Sequence, residues 1–170
     1  MAAIRPAEPG DAAAIGDVHR AAFPTAAEAD LVETLTREGD AIVSLVAERE
    51  GEVVGHVLLS RMRVSGDGRA WRAVGLGPVG LVPGFQGGGI GAGLIEAALA
   101  IARATGEELV FVLGELDYYR RFGFSAEAAA PFASPYAGPF FMAVALQPGF
   151  VPPAAGEAAY ARAFSDLPEG

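Results

Sequence analysis

The residues best placed to do chemistry are Gln86-Gly87-Gly88-Gly89-Ile90-Gly91-Ala92. They follow an apolar run, Ala73 to Leu81, that reads as a strand. They lead into Leu94–Ala102, whose alanines and leucines favour a helix. A glycine-rich turn between strand and helix leaves N–H groups free at the positive end of the helix dipole, a ready site for an anion such as phosphate. Glycine suits this position because it permits positive φ and lets a ligand approach the backbone. The turn contains no Lys or Arg, so main-chain donors must do the holding.

What the chain lacks narrows the chemistry further. There is no Cys, which excludes a thiol nucleophile, a disulfide and Cys-ligated zinc. There is no Lys, since all 12 basic residues are Arg. That excludes a Schiff base and the Lys-dependent phosphate loop of nucleotide hydrolases. His19 and His56 are far apart without a carboxylate cluster at metal spacing, so no metal is expected. No Gly-x-Ser-x-Gly elbow occurs. What survives is chemistry carried by a bound cofactor, helped by carboxylates, Tyr and backbone.

The 170 residues, 52% hydrophobic and 19% charged, fit one globular domain. The net charge of −9 argues against nucleic-acid or acidic-membrane partners. No apolar run reaches spanning length and no signal pattern opens the chain, so a cytoplasmic location is expected.

The elements that must position the loop follow from periodicity. Ile4–Ala7 reads as a short strand. Asp11 is a helix N-cap before Ala12, Ile15, Val18, His19, Ala22 and Phe23, and Pro24 ends that helix. His19 is expected on the helix surface. Glu28–Arg37 is a second helix. Ile42–Ala47 and Val53–Ser60, joined at Glu50-Gly51-Glu52, form a hairpin, with His56 as a sheet residue. Ser65–Gly68 turns the chain into the strand ending at Leu81, completing an antiparallel meander. After the loop and its helix, Leu109–Leu113 should lie parallel to that strand. Asp117–Arg121 is a short helix ended by Gly123. Pro131–Pro139 is a loop, and Phe140–Leu146 is the last strand expected. Residues 148–170 form an extension packed on a 2–147 domain, with one helical turn bringing Tyr160 to Phe164.

This order resembles the GNAT superfamily of N-acetyltransferases. The loop fits the family's acetyl-CoA motif, (Gln or Arg)-x-x-Gly-x-(Gly or Ala). Tyr119-Arg120-Arg121-Phe122-Gly123-Phe124 fits its Tyr-x-x-x-Gly-Phe pattern. The stretch Val112–Phe124 further resembles a bacterial branch known mostly as predicted N-acetyltransferases. The resemblance implies an α/β (α+β) fold: a mixed, mostly antiparallel central sheet flanked by helices, with a parallel strand pair splayed at the acetyl-CoA site.

It also implies roles. Leu81 and Val82 would bond pantetheine like an added strand, and the amides of Gln86, Gly87, Gly88, Gly89, Ile90, Gly91 and Ala92 would hold the diphosphate. Tyr119 would protonate the departing thiolate, while Tyr118 packs. Many relatives carry a Glu base on the strand before the loop. Here Ala73–Leu81 has no ionisable residue, so the base is sought at Glu115, or at Glu28, Asp30 or Glu33. The implied reaction is acetyl transfer from acetyl-CoA to a primary amine of a small molecule or peptide by direct attack, without a metal, in a monomer or homodimer. Two other readings stand beside it. One is a non-catalytic CoA-binding module on the same fold. The other is a dinucleotide-binding oxidoreductase, because Gly87-x-Gly89-x-x-Ala92 also fits the dinucleotide fingerprint.

Overall fold

The computed structural model describes residues 2–167; residues 168–170, the end of the expected extension, lie outside them. One mixed sheet runs through the molecule. Its strands are β1 (Ala3–Pro6), β2 (Ala41–Arg49), β3 (Glu52–Gly66), β4 (Arg69–Leu81), β5 (Leu109–Leu113), β6 (Phe132–Ala133), β7 (Phe141–Ala145) and β8 (Gly156–Ala159). The helices are α1 (Ala12–Ala22), α2 (Ala27–Arg37), α3 (Ile90–Ala104), and the single turns α4 (Leu116–Tyr119) and α5 (Ala126–Ala129). Sheet order is β1-β2-β3-β4-β5-β7, with β8 paired to the far end of β3 and β6 to β8.

The meander forms because both of its turns carry residues able to adopt positive φ: Glu50-Gly51 (53° and 80°) and Asp67-Gly68 (52° and 76°). The β4–α3–β5 crossover makes the parallel pair Ala73↔Leu109 to Leu76↔Val112. It is the one strand–helix–strand crossover between paired parallel strands among the described residues, where a dinucleotide fold needs a series of them.

Pairing between β4 and β5 stops at Leu76, and the sequence shows why. Gly77 and Pro78 follow; Gly77 sits at φ 135° and Pro78 has no N–H to give to a ladder. Between Leu76 and Val79, β4 takes three steps against the two from Leu59 to Val57 on β3, a bulge that bends the strand. Beyond it β4 stays on β3 (His56↔Gly80, Gly55↔Leu81) while β5 continues on β7, and the parallel pair splays.

Leu94, Ile95, Ala98 and Ala102 of α3 pack on Val57, Leu59, Val74, Leu76, Val110 and Val112 on one sheet face. On the other face α1 and α2 cover Val46 and Leu58, and an aromatic cluster joins Trp71, Phe111, Phe132 and Phe141. No helix among the described residues is long and apolar enough to cross a membrane.

Several sequence expectations need correction. His19 is not on the helix surface but fully buried against the sheet. Asp11 holds the N-cap position of α1, yet its carboxylate turns back to accept the Glu8 N–H at 2.7 Å and to pair with Arg5 at 2.8 Å. Phe141–Ala145 is not the last strand. Gly156–Ala159 adds a further one to β3, and Phe132–Ala133 pairs with it inside the expected loop. The turn in the extension is a 3₁₀ helix, Arg162–Asp166, with the Tyr160 and Phe164 rings 4.8 Å apart.

Candidate active site

The glycine loop enters α3 as expected. Gly87 and Gly89 stand at φ 81° and 86°, conformations an L side chain rarely adopts. A Cβ built on Gly87, Gly88 or Gly89 would meet nothing within 4 Å, so the loop's outer surface is open. The first bond into the helix runs from Gly93 N–H to Gly89 C=O at 2.9 Å. The N–H groups of residues 86–92 make no hydrogen bond of ordinary geometry among the described residues. These are the orphan donors of a helix start, at the positive end of a 15-residue helix. An anionic diphosphate fits donors of that kind.

At the splay, Val82 N–H donates to Val54 C=O at 2.9 Å and Val82 C=O accepts from Phe85 N–H at 3.1 Å. Both backbone groups of Val82 are therefore taken, and it is not the open residue the sequence reading made it. The alternation of an antiparallel ladder turns Gly80 toward β3 like Val82, and turns Val79 and Leu81 toward the gap. Leu81 and Val79 are thus the two residues of β4 whose backbone groups face the gap.

A cavity of about 280 Å³ lies in the gap, lined by Ala22, Phe23, Val79, Leu81, Gln86, Gly91, Ile95, Tyr118 and Tyr119. Tyr119 is held there by close contact with Gly114, which has no Cβ to obstruct its ring. Phe124 (5.9 Å, edge-on) and Tyr118 (5.0 Å, edge-on) also hold it. Burial, then the neighbouring Tyr118, raises the Tyr119 pKa to about 12, so its hydroxyl keeps its proton at neutral pH. Tyr118 does more than pack: it lines the cavity, and its hydroxyl lies 3.6 Å from a Cβ built on Gly91 in the first turn of α3.

The carboxylates proposed as bases do not line this cavity. Glu115 is the N-cap residue of α4, and its carbonyl accepts from Tyr118 and Tyr119 N–H at 3.2 and 3.1 Å. Asp30 and Glu33 line other cavities on α2, and Glu28 Oε1 is buried without a partner.

Two cations that no sequence motif marks lie beside the site. Arg49, at the end of β2, lies over the Phe85 ring at 5.7 Å. Arg121 lies over Tyr118 at 4.6 Å and donates to the Tyr118 carbonyl at 3.0 Å. Neither belongs to the loop sequence; folding brings them to it. No group of three or more potential metal ligands occurs among the described residues.

Residues 3–126 match the family model described as an acetyltransferase (GNAT) domain. The chain belongs to the GNAT acetyltransferase family. Escherichia coli YjhQ, described as an uncharacterized N-acetyltransferase, is 39% identical over 116 residues, 67% of this chain and 64% of YjhQ. The chain thus spans somewhat under two thirds of that relative. E. coli YhbS, described in the same words, is 35% identical over 126 residues, 74% of each chain. A GNAT family acetyltransferase from Brucella melitensis, solved with acetyl-CoA, superposes with a TM-score of 0.79 at 36% identity, covering 96% of this chain and 98% of that one. YhbS solved with CoA gives 0.84 at 29% identity, covering 98% and 93%. In this GNAT chain the splay, the open loop and the tyrosine-walled cavity therefore stand on a fold whose solved relatives hold the thioester carrier or its product.

Proposed function

We propose that this chain transfers the acetyl group of acetyl-CoA to a primary amine of a small molecule or peptide, by direct attack in a ternary complex. The observation that carries the reading is the unpaired run of loop amides beside the opened β4–β5 gap. One end receives an anion and the other receives an extended chain.

In this reading pantetheine lies along Val79–Leu81 as an added strand. The diphosphate sits on the amides of residues 86–92, with Arg49 and Arg121 offsetting part of the chain's net charge of −9. The thioester then reaches the cavity walled by Tyr119. The amine nitrogen attacks the carbonyl carbon and the C–S bond breaks. Tyr119 gives its hydroxyl proton to the thiolate and recovers one from the amide nitrogen being formed. Positioning and gap-facing backbone donors supply the remaining stabilisation.

The test is a panel of amines assayed for CoA release with acetyl-CoA as donor, beside calorimetry of acetyl-CoA binding. Binding together with intersecting initial-rate patterns supports the reading. The cavity lining offers no Cys, Lys, Ser or His to take a covalent acetyl group, so parallel, ping-pong patterns would refute the reading, as would silent calorimetry.

A further inference from the structure

Two buried imidazoles and a hydroxyl form an unbroken line behind the cavity. His19 Nε2 lies 2.8 Å from His56 Nδ1, and His56 Nε2 lies 2.8 Å from Ser44 Oγ. Both rings are fully buried. At one end His19 Nδ1 is buried with no partner. It faces Gly80, where a built Cβ would lie 2.7 Å away, between the cavity-lining Val79 and Leu81. The His19 ring stacks at 5.9 Å on Phe23, which also lines that cavity. At the other end Ser44 is partly exposed and lines a separate cavity of about 670 Å³ among α1, α2 and β2, with Gly16, Val32, Glu33 and Arg37.

We infer that the line His19–His56–Ser44 carries the proton of the acceptor ammonium away from the acyl-transfer cavity and releases it to solvent between α1 and α2. The inference rests on the acetyl-transfer reading and supplies what that reading lacks. An ammonium cannot attack until it loses a proton, and the cavity lining offers no ionisable group besides the two tyrosines.

With one proton on each Nε2, every bond of the line has one donor and one acceptor. The ammonium N–H bond breaks and its proton passes, through one water admitted where Phe23 now stacks, to His19 Nδ1. The Nε2 proton of His19 passes to His56 Nδ1, that of His56 to Ser44 Oγ, and the Ser44 hydroxyl proton to solvent. The neutral amine keeps its electron pair for the thioester carbonyl. The second proton it loses after attack goes to the thiolate, so each turnover releases one proton. Once the products leave, the line runs back: Ser44 takes a proton from solvent and His19 Nδ1 gives one to the water of the emptied cavity, which restores both Nε2–H tautomers.

Burial keeps both rings uncharged at neutral pH, lowering His19 to about 4 and, with the help of its neighbour, His56 to about 3. The proton must therefore pass along the line rather than rest on it. His56 is the titratable group facing His19 from the sheet. Gly80 and Phe23 bring no charge, and on α1 Asp17 and Arg20 pair with each other at the surface.

The test compares wild type, His19→Gln and Ser44→Ala across pH 6 to 10 on amines turned over in the panel. An alkylamine of pKa about 10 is about 10⁻³ neutral at pH 7, and a peptide α-amine of pKa about 8 about 10⁻¹. His19→Gln should lose about 10²- to 10³-fold in kcat/KM on the first and about tenfold on the second. The loss should shrink about tenfold per pH unit toward the amine pKa, with acetyl-CoA affinity unchanged. Ser44→Ala should show the same trend at smaller amplitude, and it carries the comparison should His19→Gln fail to fold. A loss constant with pH, or no loss in either variant, overturns the inference while leaving acetyl transfer standing. A wild type that turns over no amine defeats both.

Discussion

Lowering the pH below 6.5 should destabilise this protein, because folding buries His19 and His56 as neutral rings. In the unfolded chain each takes up a proton near the ordinary histidine value, 6.5. In the folded chain His19 waits until about 4 and His56 until about 3. The unfolded state thus binds more protons across that window. Stability is complete above pH 6.5, falls as pH drops toward 4, and levels off below the folded values. One pKa unit is worth about 1.4 kcal/mol, so His19 alone accounts for about 3 kcal/mol by pH 4. His56, still unprotonated in the folded chain at that pH, adds about as much again, and a total of about 6 kcal/mol is expected by pH 4. That compares with a typical net stability of about 5–15 kcal/mol.

Urea unfolding followed by the fluorescence of Trp71, the one tryptophan and a buried one, measures the loss. Its slope should approach two protons, about 2.7 kcal/mol per pH unit, below pH ~5.5. His56→Gln should bring the slope down to one proton. Asp11, held at about 2 by Arg5 and the Glu8 amide, gives up its contribution only below about pH 4. Stability that stays flat from pH 6.5 to 4.5, or an unchanged slope in His56→Gln, would refute the buried neutral pair.

Other expectations follow from single contacts. Tyr119→Phe should leave acetyl-CoA affinity intact and lower kcat about 10²-fold or more, read by initial rates with saturating donor. Gly114→Ala puts a methyl where the Tyr119 ring lies and should reproduce that loss of kcat. Gly89→Ala meets open space but adopts φ 86°; melting should show a cost of about 1 kcal/mol and calorimetry about tenfold weaker acetyl-CoA binding. Glu107 is fully buried and bonds Arg61 at 2.6 and 2.9 Å and Arg72 at 2.9 Å. Its partners Arg61 and Arg72 keep access to water, so Glu107→Ala should cost about 1.5–3 kcal/mol in urea unfolding, with KM for acetyl-CoA unchanged.

The sequence was sufficient for features that depend on neighbours in the chain. Gly87 and Gly89 declare a turn because only glycine takes that backbone freely, and the alanine-rich run after them declares the helix that polarises it. The antiparallel meander is legible from Glu50-Gly51 and Asp67-Gly68, and the parallel strand after α3 from the handedness of crossovers. Gly77-Pro78 sits in plain view, but that it opens a gap follows only from Leu76 being the last residue of β4 to meet β5. Tertiary structure alone decided which groups face that gap. The ladder to Val54 takes Val82 out of it and leaves Leu81 and Val79. His19 looks like a surface residue because a lone polar side chain in a helix usually is one. It is buried because His56, 37 residues away, offers its ring nitrogen a partner and Gly80 gives its ring room. Hydrogen bonds between residues distant in the chain leave no periodic trace in a sequence, so the line from Ser44 to His19 becomes visible only once the sheet is assembled.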